Sequence, residues 1–416
     1  MEIKRDKYLN DLTIRMHNGM IKVITGMRRC GKSYLIFNIF RQYLREQGVP
    51  DTHVIALALD ERKNRVYRDP DYLLNYIETC IQDNSMYYIL LDEVQMLSDF
   101  EEVLNSLLHI RNADVYVTGS NSKFLSRDVI TEFRGRGDEI HLYPLTFAEF
   151  MQVYDGDMYH GLAEYMHFGG LPFLASMQTD GQKIAYLTNL FRETYLKDII
   201  ERYHIEKIQE MEDLVHILAS SIGSLISVPK IELTFRSVIH SNISINSIKQ
   251  YIEYLEDVFL IAKANRYNVK GRKYIGSPVK YYFEDVGLRN ALLGFRQVEE
   301  THLMENVVYN ELRARGFLVD TGVVKIRERA DNGSRRKNLE IDFIANFGSS
   351  RYYIQSALRI PTEEKERQEK SSLVRVADSF KKIIIVKDVV HIMRDENGIT
   401  TMSIYDFLLK ENSLDL

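Results

Sequence analysis

Apolar residues fall in short unbroken runs through the first third of the chain and at helical spacing after it. The runs IKVIT (21–25), 54–59, YYILL (87–91) and VYVT (115–118) have strand length and no alternation. That pattern suits strands covered on both faces of a parallel sheet. Between them, residues 33–47, 70–81 and 100–110 read as helices, the second opened by Pro70-Asp71. Strand and helix alternate, which predicts a doubly wound α/β domain. Gly169-Gly170-Leu171-Pro172 is a breaker cluster and a candidate boundary. Beyond it, 183–262 read mostly as helices, with Leu214, Ile217, Leu218 and Ile222 at helical spacing. Residues 265–283 alternate around basic positions, 303–315 read as a helix, and 316–325, 339–346, 351–358 and 383–386 read as strands.

Composition narrows the class. With 416 residues, 45% hydrophobic and 27% charged, the chain has length for several cores and no signature of disorder. Its formal net charge of −5 excludes a uniformly basic nucleic-acid coat and leaves room for a local basic patch. Two cysteines, Cys30 and Cys80, exclude a disulfide framework or a cysteine-rich zinc site. The start, MEIKRDKYLNDL, lacks an apolar signal-like stretch, and no run reaches the ~18 apolar residues of a membrane span. The expectation is a reduced, cytoplasmic protein with no membrane partner.

The first strand runs into Gly26-Met27-Arg28-Arg29-Cys30-Gly31-Lys32-Ser33, followed by Tyr34, and the next residues open a helix. This is G-x-x-x-x-G-K-[ST] in its strand–loop–helix setting. Glycines let consecutive N–H groups wrap a phosphate, Lys32 reaches the β/γ-phosphates, and the Ser33 hydroxyl ligates Mg²⁺. Cys30 reads as small filler within the loop. YYILLDEVQ then ends an apolar strand in Asp92-Glu93. Asp92 is assigned to the metal ion and Glu93 to activation of the attacking water. VYVTGSNSKFL closes a further strand, where Ser120 and Asn121 are candidates to touch phosphate or water, or else to cap a helix. Arg134 and Arg136 lie on the glycine-flanked loop Phe133-Arg134-Gly135-Arg136-Gly137, and either can reach transferred phosphate, in cis or from a neighbouring subunit. The chain thus reads as an ATPase with ATP and Mg²⁺ as cofactors.

TGMRRCGKSYL, YYILLDEVQ, VYVTGSNSKFLSRD and RGRGDEIHLYPLTFAEF together resemble a prokaryotic AAA-plus-like ATPase family whose C-terminal region is a domain of unknown function. GGLPFL (169–174), YLKDII (195–200), KYYFEDVGLRNALLG (280–294) and MENVVYNEL (304–312) extend the resemblance over nearly the whole chain. It implies an ATP-binding α/β domain, a winged-helix-like middle and a nuclease-like C-terminal fold. It also implies that Arg136, in the Gly135-Arg136 pair, is the finger or sensor.

Residues 244–274 read as a helix followed by a two-stranded wing. Ile248, Tyr251, Leu255 and Ile261 supply its apolar face; Lys263, Arg266, Lys270, Arg272 and Lys273 make the ribbon basic. Such a module places its helix in a major groove, with Asn246, Ser247 and Lys249 as readers, or else serves as a protein-docking spacer. A PD-(D/E)XK nuclease needs a helical acid, here Glu305 or Glu311, a strand acid, here Asp342 beside Glu340, and an acid-x-Lys on the next strand. That strand carries Gln355-Ser356-Ala357, with alanine in the lysine position, so the domain reads as a nuclease fold without cleavage. The basic stretch 325–337 is either a nucleic-acid contact or a solvated hairpin.

The fold class is therefore α/β, with a P-loop NTPase parallel-sheet domain (1–165), a helical and winged-helix-like region (166–275) and a restriction-endonuclease-like α/β domain (276–416). Its function reads as ATP hydrolysis coupled to a C-terminal DNA- or protein-binding region. A non-hydrolysing nucleotide-gated switch is the alternative, and an ATP-regulated nuclease a third reading. Double-stranded DNA, a protein partner and a homo-oligomer are the partners this pattern leaves open.

Overall fold

The computed structural model describes residues 3–119, 135–296, 299–330 and 333–416. It divides into two compact units: Met1–Pro144 with Asp257–Phe259, and Leu145–Glu256 with Leu260–Leu416.

In the first unit the four apolar runs form β1 (Ile21–Thr25), β2 (Val54–Ala58), β3 (Tyr87–Asp92) and β4 (Ala113–Thr118), joined by β5 (Gly137–His141). All pairings are parallel, in the order β2-β3-β4-β1-β5. Every residue of β1 and β3 is buried, which is why their sequences do not alternate. Leu57, Ile89, Leu91 and Val117 pack with Ile77, Val103 and Leu104 from the helices Pro70–Cys80 and Phe100–Leu107. The order interleaves β4 between β1 and β3, so the ends of these three strands meet.

The second unit opens with helices, among them Phe147–Met151, Met158–Phe168 and Ile208–Ser220. The glycine cluster at 169–172 is an internal joint of this unit. Asp285 caps the helix Val286–Leu292 through the Leu288 N–H and accepts the Gly170 N–H at 2.8 Å. A Cβ on Gly169 (φ +81°) would lie 2.4 Å from that carboxylate, and one on Gly287 only 1.8 Å from the Phe168 carbonyl oxygen. Glycine is required by this close approach.

An eight-stranded mixed sheet follows. Its strands are β6 (Ile261–Asn268), β7 (Lys273–Phe283), β8 (Leu318–Ala330), β9 (Gly333–Phe347), β10 (Ser350–Ala357), β11 (Lys381–Val386), β12 (Met393–Arg394) and β13 (Ile399–Ser403). They lie in the order β12-β13-β11-β10-β9-β8-β6-β7. The helix Ile245–Asp257 forms where the pattern predicts it. The hairpin expected as a wing is β6–β7, and β6 pairs in parallel with β8 as part of the large sheet. Residue 275 therefore lies inside β7. On one face Val324, Ile326, Leu339 and Ile341 pack with Leu373 of the helix Glu363–Leu373. Alternation sends Lys325, Arg327 and Glu340 to the other face. No helix among the described residues is long and apolar enough to cross a membrane.

Candidate functional site

The loop after β1 is shaped by backbone that favours glycine. Gly26 and Gly31 have φ of +135° and +106°, and Arg29 shares the left-handed region at +68°. A Cβ on Gly26 would sit 2.1 Å from the Leu142 carbonyl oxygen, so no larger residue fits. Met27 and Cys30 are buried beneath the loop; Arg28 is half-buried, Arg29 exposed and Tyr34 partly exposed. Cys30 is buried and forms no disulfide among the described residues. Lys32 opens the following helix, almost wholly buried, and its ammonium donates to the Gly26 and Met27 carbonyl oxygens at 2.9 Å each. Its positive charge is thus held against the inner wall of the loop.

Asp92 ends β3, 3% exposed. Burial raises its carboxyl above the ordinary range, opposed by hydroxyl hydrogen bonds from Thr118 and Ser33, and the Glu93 and Asp60 charges push the same way as burial. The Thr118 hydroxyl donates to Asp92 and accepts the Glu93 N–H at 3.0 Å. Glu93 sits at φ +52°, uncommon for a non-glycine residue. Its carboxylate accepts from the Gln95 side-chain amide. Ser33, Asp92, Glu93 and Thr118 therefore form one connected group. Sequence reasoning missed Thr118 and Gln95. The signal for Thr118 was a hydroxyl at the last position of β4, passed over in favour of Ser120 and Asn121.

Ser120, Asn121 and Arg134 lie outside the described residues. Arg136 is exposed at the N-terminal end of β5, its carbonyl oxygen accepting the Ile21 N–H at the start of β1. The loop leaves the opposite end of β1, about 16 Å away at ~3.3 Å per residue. At that separation the Arg136 side chain does not reach the loop of its own chain.

The residues expected for a nuclease divide between the two sheet faces. Glu305 of the helix Glu300–Ala314 meets Glu340 and Asp342 of β9, but the centre of the cluster is Lys280 of β7. Its ammonium lies 2.8 Å from Glu305, 2.7 Å from Glu340 and 3.9 Å from Asp342. Tyr282 also donates to Glu305, and the Ser356 N–H to Asp342 at 2.8 Å. Burial drives the Asp342 carboxyl up to about 8, with Glu305 adding to the shift and Lys280 opposing it. Gln355 and Ala357 alternate onto the other face, where Ala357 packs with Ile384 and Val386. The missing lysine thus concerns a position turned away from the carboxylates. Glu311 is engaged instead with Arg315 at 2.7 Å. Among the described residues no group of histidine, cysteine and acidic side chains forms a metal site.

A glycine-shaped loop with a buried lysine, facing an acidic strand end across an interleaved strand, defines a P-loop nucleotide-binding protein of the AAA type. The family model described as an AAA domain matches residues 18–151, and one described as a domain of unknown function matches 159–299. An uncharacterised protein of Haemophilus influenzae is 31% identical over 416 residues, covering 98% of this chain and 99% of its own. An uncharacterised protein of Methanocaldococcus jannaschii is 28% identical over 385 residues, 88% of this chain and 81% of its own. The chain belongs to one family with the Haemophilus protein, and its residues 18–151 match the AAA domain. Among solved structures, Cdc6p from Pyrobaculum aerophilum aligns over 73% of this chain and 94% of that one, at 11% identity and a TM-score of 0.30, too distant to bear on function.

Proposed function

We propose that the protein binds Mg²⁺·ATP at Gly26–Ser33 and hydrolyses it, coupling nucleotide state to a DNA- or protein-binding region in its C-terminal half. The observation that supports this reading is the Thr118 hydroxyl, which ties the Asp92 carboxylate to the main chain of Glu93. The residues present fit the ligand: a buried cationic side chain under a glycine-shaped loop, with a hydroxyl and a buried carboxylate sharing a hydrogen bond beside it. Lys32 exchanges its two loop carbonyls for phosphate oxygens; Ser33 and Asp92 hold the ion. Magnesium supplies neutralisation of charge on the transferring phosphate. Glu93 takes the proton of the attacking water, and Thr118 fixes the turn that aims it. Arg136 serves the site of a neighbouring copy in a homo-oligomer, and the setting is the cytoplasm. Replacing Glu93→Gln should lower turnover at least about a hundredfold while nucleotide binding persists. Unchanged turnover in that variant sinks the assignment.

A second reading, a nucleotide-gated switch without turnover, is favoured by one contact: the Gln95 amide occupies the Glu93 carboxylate. ATP bound to wild-type protein and recovered intact after long incubation would support it. A nuclease reading has less support, because Lys280 fills the centre of the carboxylate cluster.

A further inference from the structure

The eight-stranded sheet joins two basic segments that are far apart in sequence. Residues 261–280 hold six lysines and arginines and no acid, in a chain of net charge −5. β6 runs parallel to β8 with Asn268 opposite Val323, and the Val269 N–H donates to the Val323 carbonyl oxygen at 3.0 Å. The turn after β6, with Lys270 and Arg272, therefore emerges beside β8, which runs on past it through Lys325 and Arg327; Lys273 opens β7 on the far side of β6. All five are exposed, and none forms an ion pair among the described residues. Strands ~4.8 Å apart and same-face neighbours ~6.8 Å apart along a strand spread these cations into an array.

The face matters as much as the charge. Val323 lies opposite Glu340, and Lys325 opposite Asn338. Lys325 and Arg327 thus continue outward from the face that carries Glu340 and the Lys280 cluster. Five such cations on a solvated surface would be unremarkable if spread over a basic protein; here they gather at one end of one sheet in an acidic one. Resting on the reading that the C-terminal half binds DNA or protein, we propose that this end of the sheet holds the phosphodiester backbone of a nucleic-acid duplex, without regard to its sequence. Lysine and arginine on strand faces neutralise phosphates and read no bases. A single-strand site needs aromatic platforms between the cations; the exposed Tyr274 beside Lys273 pairs with Tyr267 and so falls on the opposite, apolar face. The ammonium of Lys280, set among Glu305, Glu340 and Asp342, leaves the duplex held and uncut.

The test uses the full chain and fluorescence anisotropy with DNA duplexes of two unrelated sequences, an RNA duplex and single-stranded DNA, from about 50 to 200 mM salt. Wild-type protein should bind both DNA duplexes equally and single strands more weakly. The combined variant Lys270→Ala, Lys273→Ala, Lys325→Ala and Arg327→Ala should bind at least about tenfold more weakly, with a log–log salt slope shallower by about 3 to 4. Equal binding of RNA duplex supports backbone recognition and widens its source. No wild-type binding at low salt, preference for single strands, or unaltered binding by the variant overturns the proposal. A thermal midpoint equal to wild type shows that the variant folds. ATP turnover in the same preparations separates this outcome from failure of the ATPase reading: turnover without duplex binding leaves that reading standing. Duplex recovered intact after incubation with Mn²⁺ is expected, and cleavage lost in Asp342→Ala would refute the closed cluster.

Discussion

Thr118 acts through one hydroxyl that donates to Asp92 and accepts from Glu93. Thr118→Val keeps the shape and removes both bonds. Leaving a buried partner unsatisfied costs roughly 1–3 kcal/mol, so turnover should fall about ten- to a hundredfold. Thr118→Ser should restore most of it, and ATP affinity should change little in either; steady-state hydrolysis with a binding isotherm checks the split. A β-branched residue at a strand end reads simply as strand, and only the interleaving of β4 between β1 and β3 puts it beside Asp92. The phosphate-loop residues were legible because one contiguous segment carries them. Lys280 was not, because its carboxylate partners come from two later stretches of chain, the helix Glu300–Ala314 and β9. Asp342 has its own consequence. Its folded pKa, about 8, lies above the unfolded value near 3.9. Between these values the folded state keeps a proton that the unfolded chain has released. Stability therefore falls as pH rises from about 4 to 8, by at most ~1.4 kcal/mol per unit. Asp342→Asn should flatten that slope in urea-unfolding midpoints measured across the window.

At the scale of elements, legibility followed burial. β1 to β4 are continuous apolar runs and were readable directly. β5, GDEIH, was not, since its burial is incomplete and its sequence carries two acids in five residues. β8 and β9 were read too short, because the segment from Lys325 to Lys337 is rich in charged residues and reads from sequence as a loop. The glycine pair at 169–170 resembled a boundary because breakers mark linkers as well as tight packing; only Asp285, over a hundred residues later, distinguishes the two. Asp285 is wholly buried, its carboxyl pushed up to about 6 by that burial against hydrogen bonds from Leu288, Gly170 and Gly287. Asp285→Ala removes a helix cap and strands the Gly170 N–H, and should cost about 2–4 kcal/mol in chemical unfolding. A change under 0.5 kcal/mol, the usual range for neutral surface positions, would show that the joint is dispensable.

For the whole molecule, the position of Arg136 turns an active-site question into one of assembly. The proposed hydrolytic centre needs Glu93 from one copy and Arg136 from another. Glu93→Gln and Arg136→Ala should each be inactive alone. Mixed and allowed to exchange, they should regain a measurable fraction of wild-type turnover, because some interfaces then pair an intact Glu93 with an intact Arg136. No recovery, with exchange verified by labelled subunits, would place Arg136 outside the chemistry.

The continuity of β7 through residue 275 also decides how the polypeptide can be shortened. A fragment stopping there would retain β6 while losing most of its antiparallel neighbour and all of β8. Both flanks of β6 would then present unsatisfied amide and carbonyl groups to any passing strand. Such a truncation should accumulate as insoluble material during expression, however sound its phosphate loop, whereas the intact chain keeps those flanks occupied.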